Sequence, residues 1–322
     1  MTKVKVLVSR RWPEEVEQAL AARFDVSFNT DDTPMSQAAL AAAMGEYDVL
    51  CPTVSDRIDA DVIAGGDRVR LIANYGVGFE HIDLAAAQAK GIAVSNTPGV
   101  LTDATADIAL TLILMAARRA GEGERELRAG RWAGWRPTHL IGSALKGKVL
   151  GLVGMGRIGV ATARRAHHGF GMKIAYYGRR EADAAIVREL GAEFYPELPG
   201  LLGAADFLSL HIPGGAETNG LIGAEALAMM KPTAYLINTA RGGVVDHDAL
   251  AAALRDGGIA GAGLDVYPDE PDVPPALLDL ENVVLLPHLG SADRETRVAM
   301  GMRALANIEA WAAGEALPDP VA

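Results

Sequence analysis

The chain has 322 residues, half of them apolar, one cysteine and a formal net charge of −11. This length exceeds what one ordinary core needs and predicts two domains. The negative charge argues against a general nucleic-acid or membrane-surface binder, and no apolar run approaches the ~20 residues of a membrane span. The single cysteine, Cys51, excludes an internal disulfide, so we expect a soluble, cytoplasmic protein.

Short apolar runs alternate with helical patterns in the first part of the chain. This alternation predicts a parallel β-sheet between helices. The expected strands cover residues 4–8, 26–28, 47–51, 70–74 and 92–95, and the expected helices cover residues 13–22, 38–44 and 84–90. We assign residues 1–98 to the first part of one domain.

A long apolar helix is predicted over residues 102–119, and a stretch rich in Gly, Arg and Trp follows it over residues 121–142. Together they carry more apolar surface than one doubly wound domain should need. Trp132 and Trp135 in this stretch either line a substrate pocket or pack within a dimer, and the sequence favours neither.

The rest of the chain is organised around a glycine-rich turn. The apolar run 149–153 leads into Gly154, Gly156 and Gly159, spaced as G-x-G-x-x-G, and a helical pattern follows. In a strand–turn–helix, these glycines permit the tight turn, let a pyrophosphate approach the backbone, and let helix and strand pack closely. The free N–H groups at the helix start hold the phosphates. Alone the motif also fits a structural turn, but the flanking elements favour a dinucleotide site.

Further apolar runs complete a unit of four to six strands. They cover residues 173–177, 206–210, 234–238, 259–264 and 282–286, and a long helix follows over residues 291–312. The blocks on either side of this unit are each too small for a full domain. We therefore predict an α/β protein of two doubly wound parallel sheets. A Rossmann dinucleotide-binding domain, residues 99–286, is inserted into a discontinuous, flavodoxin-like substrate domain, to which residues 287–322 return.

The residues after the second strand of this domain indicate which dinucleotide it takes. In NAD enzymes of this fold, an acidic residue about 20 positions past the glycine loop binds the ribose 2′-hydroxyl. Gly178 stands there instead, followed by Arg179 and Arg180, two guanidiniums that can bind a 2′-phosphate. We expect NADP, with NADPH preferred. Two readings stay open: the arginines form a solvated pair, or Glu181 reaches the ribose and NAD is used as well.

Five short motifs occur in order between residues 74 and 290. They are NYGVG at 74–78, NTARGG at 238–243, LDVY at 264–267, DEP at 269–271 and PHLGS at 287–291. With these motifs the chain resembles the D-2-hydroxyacid dehydrogenase family, and within it most of all the glyoxylate/hydroxypyruvate reductase group. The narrower similarity rests on residues 75–78, on Gly130, Arg131, Trp132, Trp135 and Pro137, and on the cofactor loop.

Reduction of a 2-keto acid needs a hydride donor, a cation for the carboxylate and carbonyl oxygen, and a proton donor. Arg241 follows a predicted strand, and its planar fork suits a carboxylate. His288 follows another, and Glu270 can fix its tautomer and stabilise the imidazolium. From the residues alone, Arg241 also fits a surface ion pair and Glu270 a solvated turn carboxylate. The resemblance implies the catalytic set Arg241, Glu270 and His288.

The resemblance implies the remaining contacts and a two-fold dimer built through residues 102–142. Asp265 is expected near the nicotinamide carboxamide, and no Cys/His cluster has metal-site spacing. The expected substrate contacts are Val77, Gly78, Trp135, Arg241 and His288. The expected cofactor contacts are Gly154, Met155, Gly156, Arg157, Ile158, Gly159, Gly178, Arg179, Arg180, His211, Pro213, Thr239, Ala240, Arg241, Asp265, His288 and Gly290.

Three functions follow from this reading. The first is NADPH-dependent reduction of a small 2-keto acid, such as glyoxylate or hydroxypyruvate, to the D-2-hydroxy acid. The second is an NAD-dependent dehydrogenase of the D-3-phosphoglycerate type; the absence of an extra regulatory domain before the chain ends at Ala322 counts against it. The third is a cofactor-sensing corepressor that uses the same scaffold as a binding module.

Overall fold

The structure is a computed structural model that describes residues 3–321. Met1, Thr2 and Ala322, at the two ends of the expected substrate domain, lie outside the described residues. The chain forms two compact units, the first reaching Leu101 and resuming at Ala292, and the second comprising Thr102–Ser291. Within the described range, no helix is long and apolar enough to cross a lipid bilayer.

The first unit is built on five parallel strands. The strands are β1 Lys5–Val8, β2 Asp25–Phe28, β3 Val49–Cys51, β4 Leu71–Ala73 and β5 Ala93–Ser95, and the helices between them are α1 Glu14–Arg23, α2 Gln37–Glu46, α3 Ala60–Ala64 and α4 Leu84–Ala89. Their order in the sheet is β2-β1-β3-β4-β5. This is the order of a flavodoxin-like sheet, so that prediction is confirmed.

Both faces of this sheet are buried at β1, β3, β4 and β5, because alternate residues of these strands enter two different apolar clusters, whereas the edge strand β2 contributes to one cluster only. Val6 and Val8 of β1 lie in one cluster, and Leu7 lies in the other. Leu71 and Ile72 of β4 divide in the same way. Burial on both faces explains why the strands read as continuous apolar runs in the sequence.

The second unit contains seven parallel strands. They are β6 Val149–Val153, β7 Lys173–Tyr177, β8 Glu193–Tyr195, β9 Phe207–Leu210, β10 Tyr235–Asn238, β11 Gly261–Leu264 and β12 Val283–Leu285. The order β12-β11-β10-β9-β6-β7-β8 is the 3-2-1-4-5-6 order of a Rossmann sheet with one strand added at the far edge. The Rossmann prediction is therefore confirmed.

Helices cover the second sheet. They are α5 Thr102–Ala117, α6 Ala120–Arg128, α7 Arg157–Arg164, α8 Ala184–Leu190, α9 Leu198–Ala204, α10 Ala224–Met229, α11 His247–Arg255 and α12 Pro275–Leu278, with a π-helical turn at Arg165–Gly169 and a 3₁₀ turn at Gly242–Val244. The chain then returns to the first unit as α13, Arg294–Ala313.

Two elements of the second unit were missed in the sequence. The sheet has seven strands, whereas four to six were expected. The strand that was not predicted is β8, which has only three residues, none of them fully buried, and lacks an apolar run. Helix α6 has no buried residue and contains two glycines. The ion pairs Arg119–Glu122 and Arg125–Glu281 hold its start and its middle, and such pairs leave no hydrophobic periodicity to read.

The chain passes between units a few residues later than the expected bounds at 98 and 286. Val100 and Leu101 pack against the core of the first unit. At the second passage, the N–H groups of His288 and Leu289 bond to Asp265, and the carbonyl of Gly290 accepts a hydrogen bond from Thr105. These contacts extend the second unit to Ser291.

A buried polar cluster fixes the end of the chain onto α13. Asp319 is 7% exposed and accepts two hydrogen bonds from Arg303, at 2.6 and 2.7 Å. The buried Asn307 donates to the same carboxylate at 2.9 Å and accepts from the Asp319 N–H at 3.0 Å. The reciprocal bonds satisfy polar groups that would otherwise be buried without partners.

Replacing Asp319 by alanine is expected to lower the free energy of unfolding by about 2–3 kcal/mol, because Asn307 and Arg303 lose a charged partner. Urea denaturation measures the change. Glu315→Ala, which removes an exposed carboxylate from the same tail, is the control and should change stability by less than about 0.5 kcal/mol. Equal midpoints for the two variants would contradict the assigned role of the cluster.

Candidate functional site

The glycine-rich turn joins β6 to α7, and two of its glycines are required by close contacts. Gly154 has a φ of +98°, and a Cβ there would lie 2.5 Å from the carbonyl oxygen of His211. A Cβ on Gly159 would lie 2.3 Å from the carbonyl oxygen of Gly154. A Cβ on Gly156 would meet no atom within 4 Å, so the backbone there is open to a ligand.

Helix α7 begins without a capping side chain, because Gly156 is its N-cap. The N–H groups of a first turn and the helix dipole attract an anion to such an end. Arg157, the first helical residue, is exposed, while Met155 and Ile158 beside it are half-buried. The turn and helix start therefore form a place where a phosphate group fits.

The end of β7 lies beside this turn. Val153 pairs with Tyr177, and the Gly154 N–H donates to the Tyr177 carbonyl at 2.9 Å. Gly178 follows, and then Arg179 and Arg180, which are both exposed. Across residues 3–321, neither guanidinium has a hydrogen-bond or ion-pair partner. Two cations are thus available next to the glycine turn.

Two neighbouring strand ends carry neutral polar groups. His211 follows β9, and its Nε2 lies 2.9 Å from Ser209 Oγ. Burial lowers the pKa of His211 to about 4, so the ring is uncharged near neutral pH. Thr239 follows β10, and its buried Oγ1 has no hydrogen-bond partner among the described residues.

The segment that carries Arg241 is packed tightly against the segment after β11. The buried Asn238 bonds to the backbone of Ala240 and of Arg241. A Cβ on Gly242 would lie 1.9 Å from the carbonyl carbon of Tyr267. Only glycine allows this approach, so the glycine after Arg241 fixes how close the arginine segment lies to the next strand end.

Glu270 and His288 form a direct pair. His288 Nδ1 lies 2.6 Å from Glu270 Oε2, and the side chains are 33% and 32% exposed. The other carboxylate oxygen of Glu270 accepts the Tyr267 N–H at 3.0 Å. His288 has a φ of +54°, in the left-handed region. With Nδ1 held by the carboxylate, Nε2 is the ring nitrogen that can face a reactant.

Glu270 is held as a carboxylate by its surroundings. Burial acts to raise its pKa, but the hydrogen bond and charge of His288, the Tyr267 N–H and the charge of Arg241 overcome burial and lower the pKa below its usual value. The stability that this carboxylate contributes is complete above its ordinary pKa and is lost only as the pH falls through the lowered one. The pair therefore keeps its negative member at neutral pH.

Asp265, at the end of β11, is 1% exposed. Its Oδ1 accepts the Leu289 N–H at 2.7 Å, whereas its buried Oδ2 has no hydrogen-bond partner among the described residues. Burial raises the pKa of Asp265 against the opposing Leu289 bond and His288 charge. A Cβ on Gly290 would lie 3.3 Å from Oδ2, so the missing side chain leaves room beside that oxygen.

These features fit a dinucleotide. The glycine turn and the start of α7 suit a pyrophosphate, and the unpaired Asp265 Oδ2 suits an amide such as a carboxamide. Arg241, Glu270 and His288 occupy the carboxyl ends or following loops of β10, β11 and β12, the edge where ligands bind in such sheets. The second unit thus brings together the residues expected for the cofactor and for catalysis.

A second glycine-containing turn lies in the first unit after β4. The buried Asn74 donates to the carbonyls of Gly76 and Gly78 at 3.1 and 2.8 Å. Asn96 donates to the Val77 carbonyl at 2.8 Å. The N–H groups of Val77 and Gly78 make no hydrogen bond within residues 3–321. Successive N–H groups of this kind can form an anion nest.

Trp135 is 82% exposed, so most of its surface is not covered by the described part of the chain. The large apolar side chains that are exposed in the stretch from α6 to the start of β6 are Leu127, Trp132, Trp135 and Ile141. We refer to these four side chains as the apolar arm.

The sequence analysis assigned no role to the residues that hold the functional groups in place. Asn238 and Asn74 are such residues, and so is the Tyr267 N–H that binds Glu270. A signal was present, since each asparagine ends or follows a predicted strand and precedes a glycine-containing turn. Asparagine carries both a donor and an acceptor, which such a turn needs.

Comparison with known proteins identifies the second unit and the whole chain. A family profile described as D-isomer specific 2-hydroxyacid dehydrogenase, NAD binding domain, matches residues 110–290. The chain is 45% identical over 323 residues to the glyoxylate reductase of Thermococcus litoralis, covering 99% of this chain and 97% of that protein. It is 46% identical over 324 residues to the glyoxylate reductase of Korarchaeum cryptofilum, covering 99% and 96%.

A solved structure agrees with this similarity. The NADPH-dependent glyoxylate/hydroxypyruvate reductase from Sinorhizobium meliloti, in complex with NADP and malonate, matches with a TM-score of 0.88 at 36% identity, covering 100% of this chain and 97% of that chain. Similarity over the full length, together with a profile match over most of the second unit, confirms the family resemblance and the expectation of an enzyme. The chain belongs to the D-2-hydroxyacid dehydrogenase family, in its glyoxylate reductase group, and is an oxidoreductase that uses a nicotinamide dinucleotide.

Proposed function

We propose that the protein reduces a small 2-keto acid of the glyoxylate or hydroxypyruvate type to the D-2-hydroxy acid, with NADPH as the preferred cofactor. The observation that carries the proposal is the Glu270–His288 pair beside the Arg241 segment at the ligand edge of the second sheet. The similarity to glyoxylate reductases supports the substrate class.

In the proposed reaction, Arg241 binds the substrate carboxylate and the carbonyl oxygen through its guanidinium fork. When bound, the reduced nicotinamide supplies a hydride to the carbonyl carbon. His288 Nε2 gives its proton to the carbonyl oxygen, and Glu270 keeps the ring in the orientation and charge state for that transfer. The product is the D-2-hydroxy acid, and His288 is left neutral.

The proposed cofactor contacts follow the fit described above. Asp265 Oδ2 would accept a hydrogen bond from the carboxamide N–H, with Gly290 leaving the space for it. His211, as a neutral ring, and Pro213 lie along the bound dinucleotide together with Thr239 and Ala240. Gly154, Met155, Gly156, Arg157, Ile158 and Gly159 hold the pyrophosphate.

Val77 and Gly78 are the proposed second contact for a substrate carboxylate. The proposal is supported by the anion nest after β4. The carbonyls of this turn accept hydrogen bonds from Asn74 and Asn96. A compact carboxylate such as that of glyoxylate suits two adjacent N–H groups.

Glu270→Gln should shift the pH profile of keto-acid reduction. The glutamine keeps a hydrogen bond to His288 but removes the negative charge of the carboxylate, whose pKa is lowered in the wild type, so the acid limb of the kcat/KM profile should shift. Steady-state rates across pH measure the shift. Asp269→Asn, which neutralises the adjacent exposed carboxylate, should leave the profile in place; a wild-type profile in Glu270→Gln removes Glu270 from the mechanism.

The preference for NADPH is supported by the charges at the end of β7. Arg179 and Arg180 are exposed beside the glycine turn, and Gly178 provides no carboxylate to repel a 2′-phosphate. The S. meliloti relative is NADPH-dependent. Because a hydrogen bond to a charged group contributes about 1.5–3 kcal/mol, these two side chains suffice to set a preference of ~10-fold or more.

The test is the ratio of kcat/KM for NADPH and NADH in the wild type and in the Arg179→Ala/Arg180→Ala variant. We expect the wild type to favour NADPH and the double variant to lose that preference by ~10-fold or more. Arg188→Ala removes an exposed cation from the neighbouring helix α8 and should keep the ratio. A wild type that prefers NADH, or a ratio that the double variant leaves unchanged, contradicts the NADPH proposal.

We also propose a cytoplasmic homodimer formed through the apolar arm. Four large apolar side chains within one stretch are exposed, and association would bury them. In such a dimer the partner covers Trp135, for which a substrate contact stays a prediction. Light scattering at micromolar concentration tests the proposal, and a monomer would contradict it.

A further inference from the structure

The turn that carries Arg241 is held from inside by one side chain. Asn238 is 0% exposed, and its amide bonds to both ends of the turn. Oδ1 accepts the Ala240 N–H at 3.0 Å, and Nδ2 donates to the Arg241 carbonyl at 2.9 Å. The amide therefore holds the Ala240 N–H and the Arg241 carbonyl, which flank the peptide bond between these two residues.

The guanidinium is tied to the same turn. Arg241 Nη1 donates to the Ala240 carbonyl at 2.7 Å. Ala240 therefore accepts from Arg241 through its carbonyl and donates to Asn238 through its N–H. A change in the backbone orientation of Ala240 therefore changes the direction of the Arg241 guanidinium.

Other contacts hold the segment that follows. The Gly220 N–H donates to the Gly243 carbonyl at 2.8 Å, and the Ile222 N–H donates to the Val244 carbonyl at 3.0 Å. Gly242 lies against Tyr267. These contacts fix residues 242–244. The Val244 N–H also donates to the Arg241 carbonyl at 3.2 Å, so that carbonyl has two donors, whereas the Ala240 N–H is bonded by Asn238.

We propose that Asn238 is a positioning residue for the reaction, whose amide sets the direction of the Arg241 guanidinium by bonding to both sides of its turn. The inference rests on the proposed role of Arg241 in substrate binding. The position requires one acceptor and one donor in a group the size of an amide. Aspartate has the same shape but supplies two acceptors, and it regains a donor only when protonated.

The test uses this difference. In Asn238→Asp, an ionised carboxylate faces the Arg241 carbonyl at about pH 8, and we expect kcat/KM for glyoxylate to fall by ~10²-fold, the effect of a misplacement of about 1 Å. Burial raises the pKa of a carboxyl group, so the donor returns as the pH is lowered towards about 5. The ratio of variant to wild-type kcat/KM should therefore rise as the pH falls.

Asn238→Ala separates the pH effect of the introduced carboxyl group from the loss of the two hydrogen bonds. It lacks both groups, so its kcat/KM should be reduced by a similar factor but its ratio to the wild type should not change with pH. An Asn238→Asp variant that matches the wild type at every pH, or one whose loss is independent of pH as in Asn238→Ala, overturns the inference. Arg241→Ala is assayed alongside: if it keeps the wild-type kcat/KM, the role of Arg241 itself fails and the inference fails with it.

Discussion

Replacing His288 by glutamine is expected to lower kcat for keto-acid reduction by about 10²–10⁴-fold, the range typical for the loss of a positioned proton donor. Glutamine keeps a polar side chain within reach of Glu270 but has no proton to give at neutral pH. The quantity to measure is kcat at saturating cofactor and substrate, because the loss belongs to the chemical step.

The matched control is His168→Gln. His168 is 57% exposed on the π-helical turn after α7 and contacts Glu189 rather than any residue proposed for the reaction. Its variant should keep the wild-type kcat. A His288→Gln enzyme within a factor of about three of the wild type would mean that the proton comes from another group.

Arg241→Lys should lower kcat/KM by about 10²–10³-fold although the charge is kept. A lysine ammonium is a point charge, whereas the proposed site needs two parallel N–H groups to hold a carboxylate and a carbonyl oxygen. Arg255→Lys, at the exposed end of α11, is the control. Equal kcat/KM for the wild type and Arg241→Lys would show that charge alone suffices and would remove the fork from the mechanism.

Most of the fold follows from the sequence because buried parallel strands are apolar on both faces. Eleven of the twelve strands correspond to a predicted run, and the one not predicted is β8. A three-residue edge strand gains its pairing from β7 and has no apolar pattern of its own. Helix α3, of five residues, was also missed; its start depends on a local cap, the Asp59 side chain bonding to the Val62 N–H, rather than on hydrophobic periodicity.

The candidate site was predictable to a different extent. Residue types and their places after strands made Arg241, Glu270 and His288 candidates, since the carboxyl ends of parallel strands share one edge, and the family resemblance implied them as a catalytic set. The contacts that hold them were not predictable. The approach of Gly242 to Tyr267 and the two bonds of Asn238 depend on distances across neighbouring strands, and a residue sequence does not contain those distances.

The left-handed backbone at His288 limits which residue can serve as the proposed proton donor at this position. The residues that adopt a φ of +54° most readily are glycine, asparagine, aspartate and histidine. Among these four, only histidine has an ordinary pKa close to neutrality. Lysine and tyrosine, the other common proton donors, would meet both a poorer backbone fit and an ordinary pKa near 10. At this one position, therefore, chain geometry and acid strength select the same residue, and a replacement acid would have to arise elsewhere on the sheet edge.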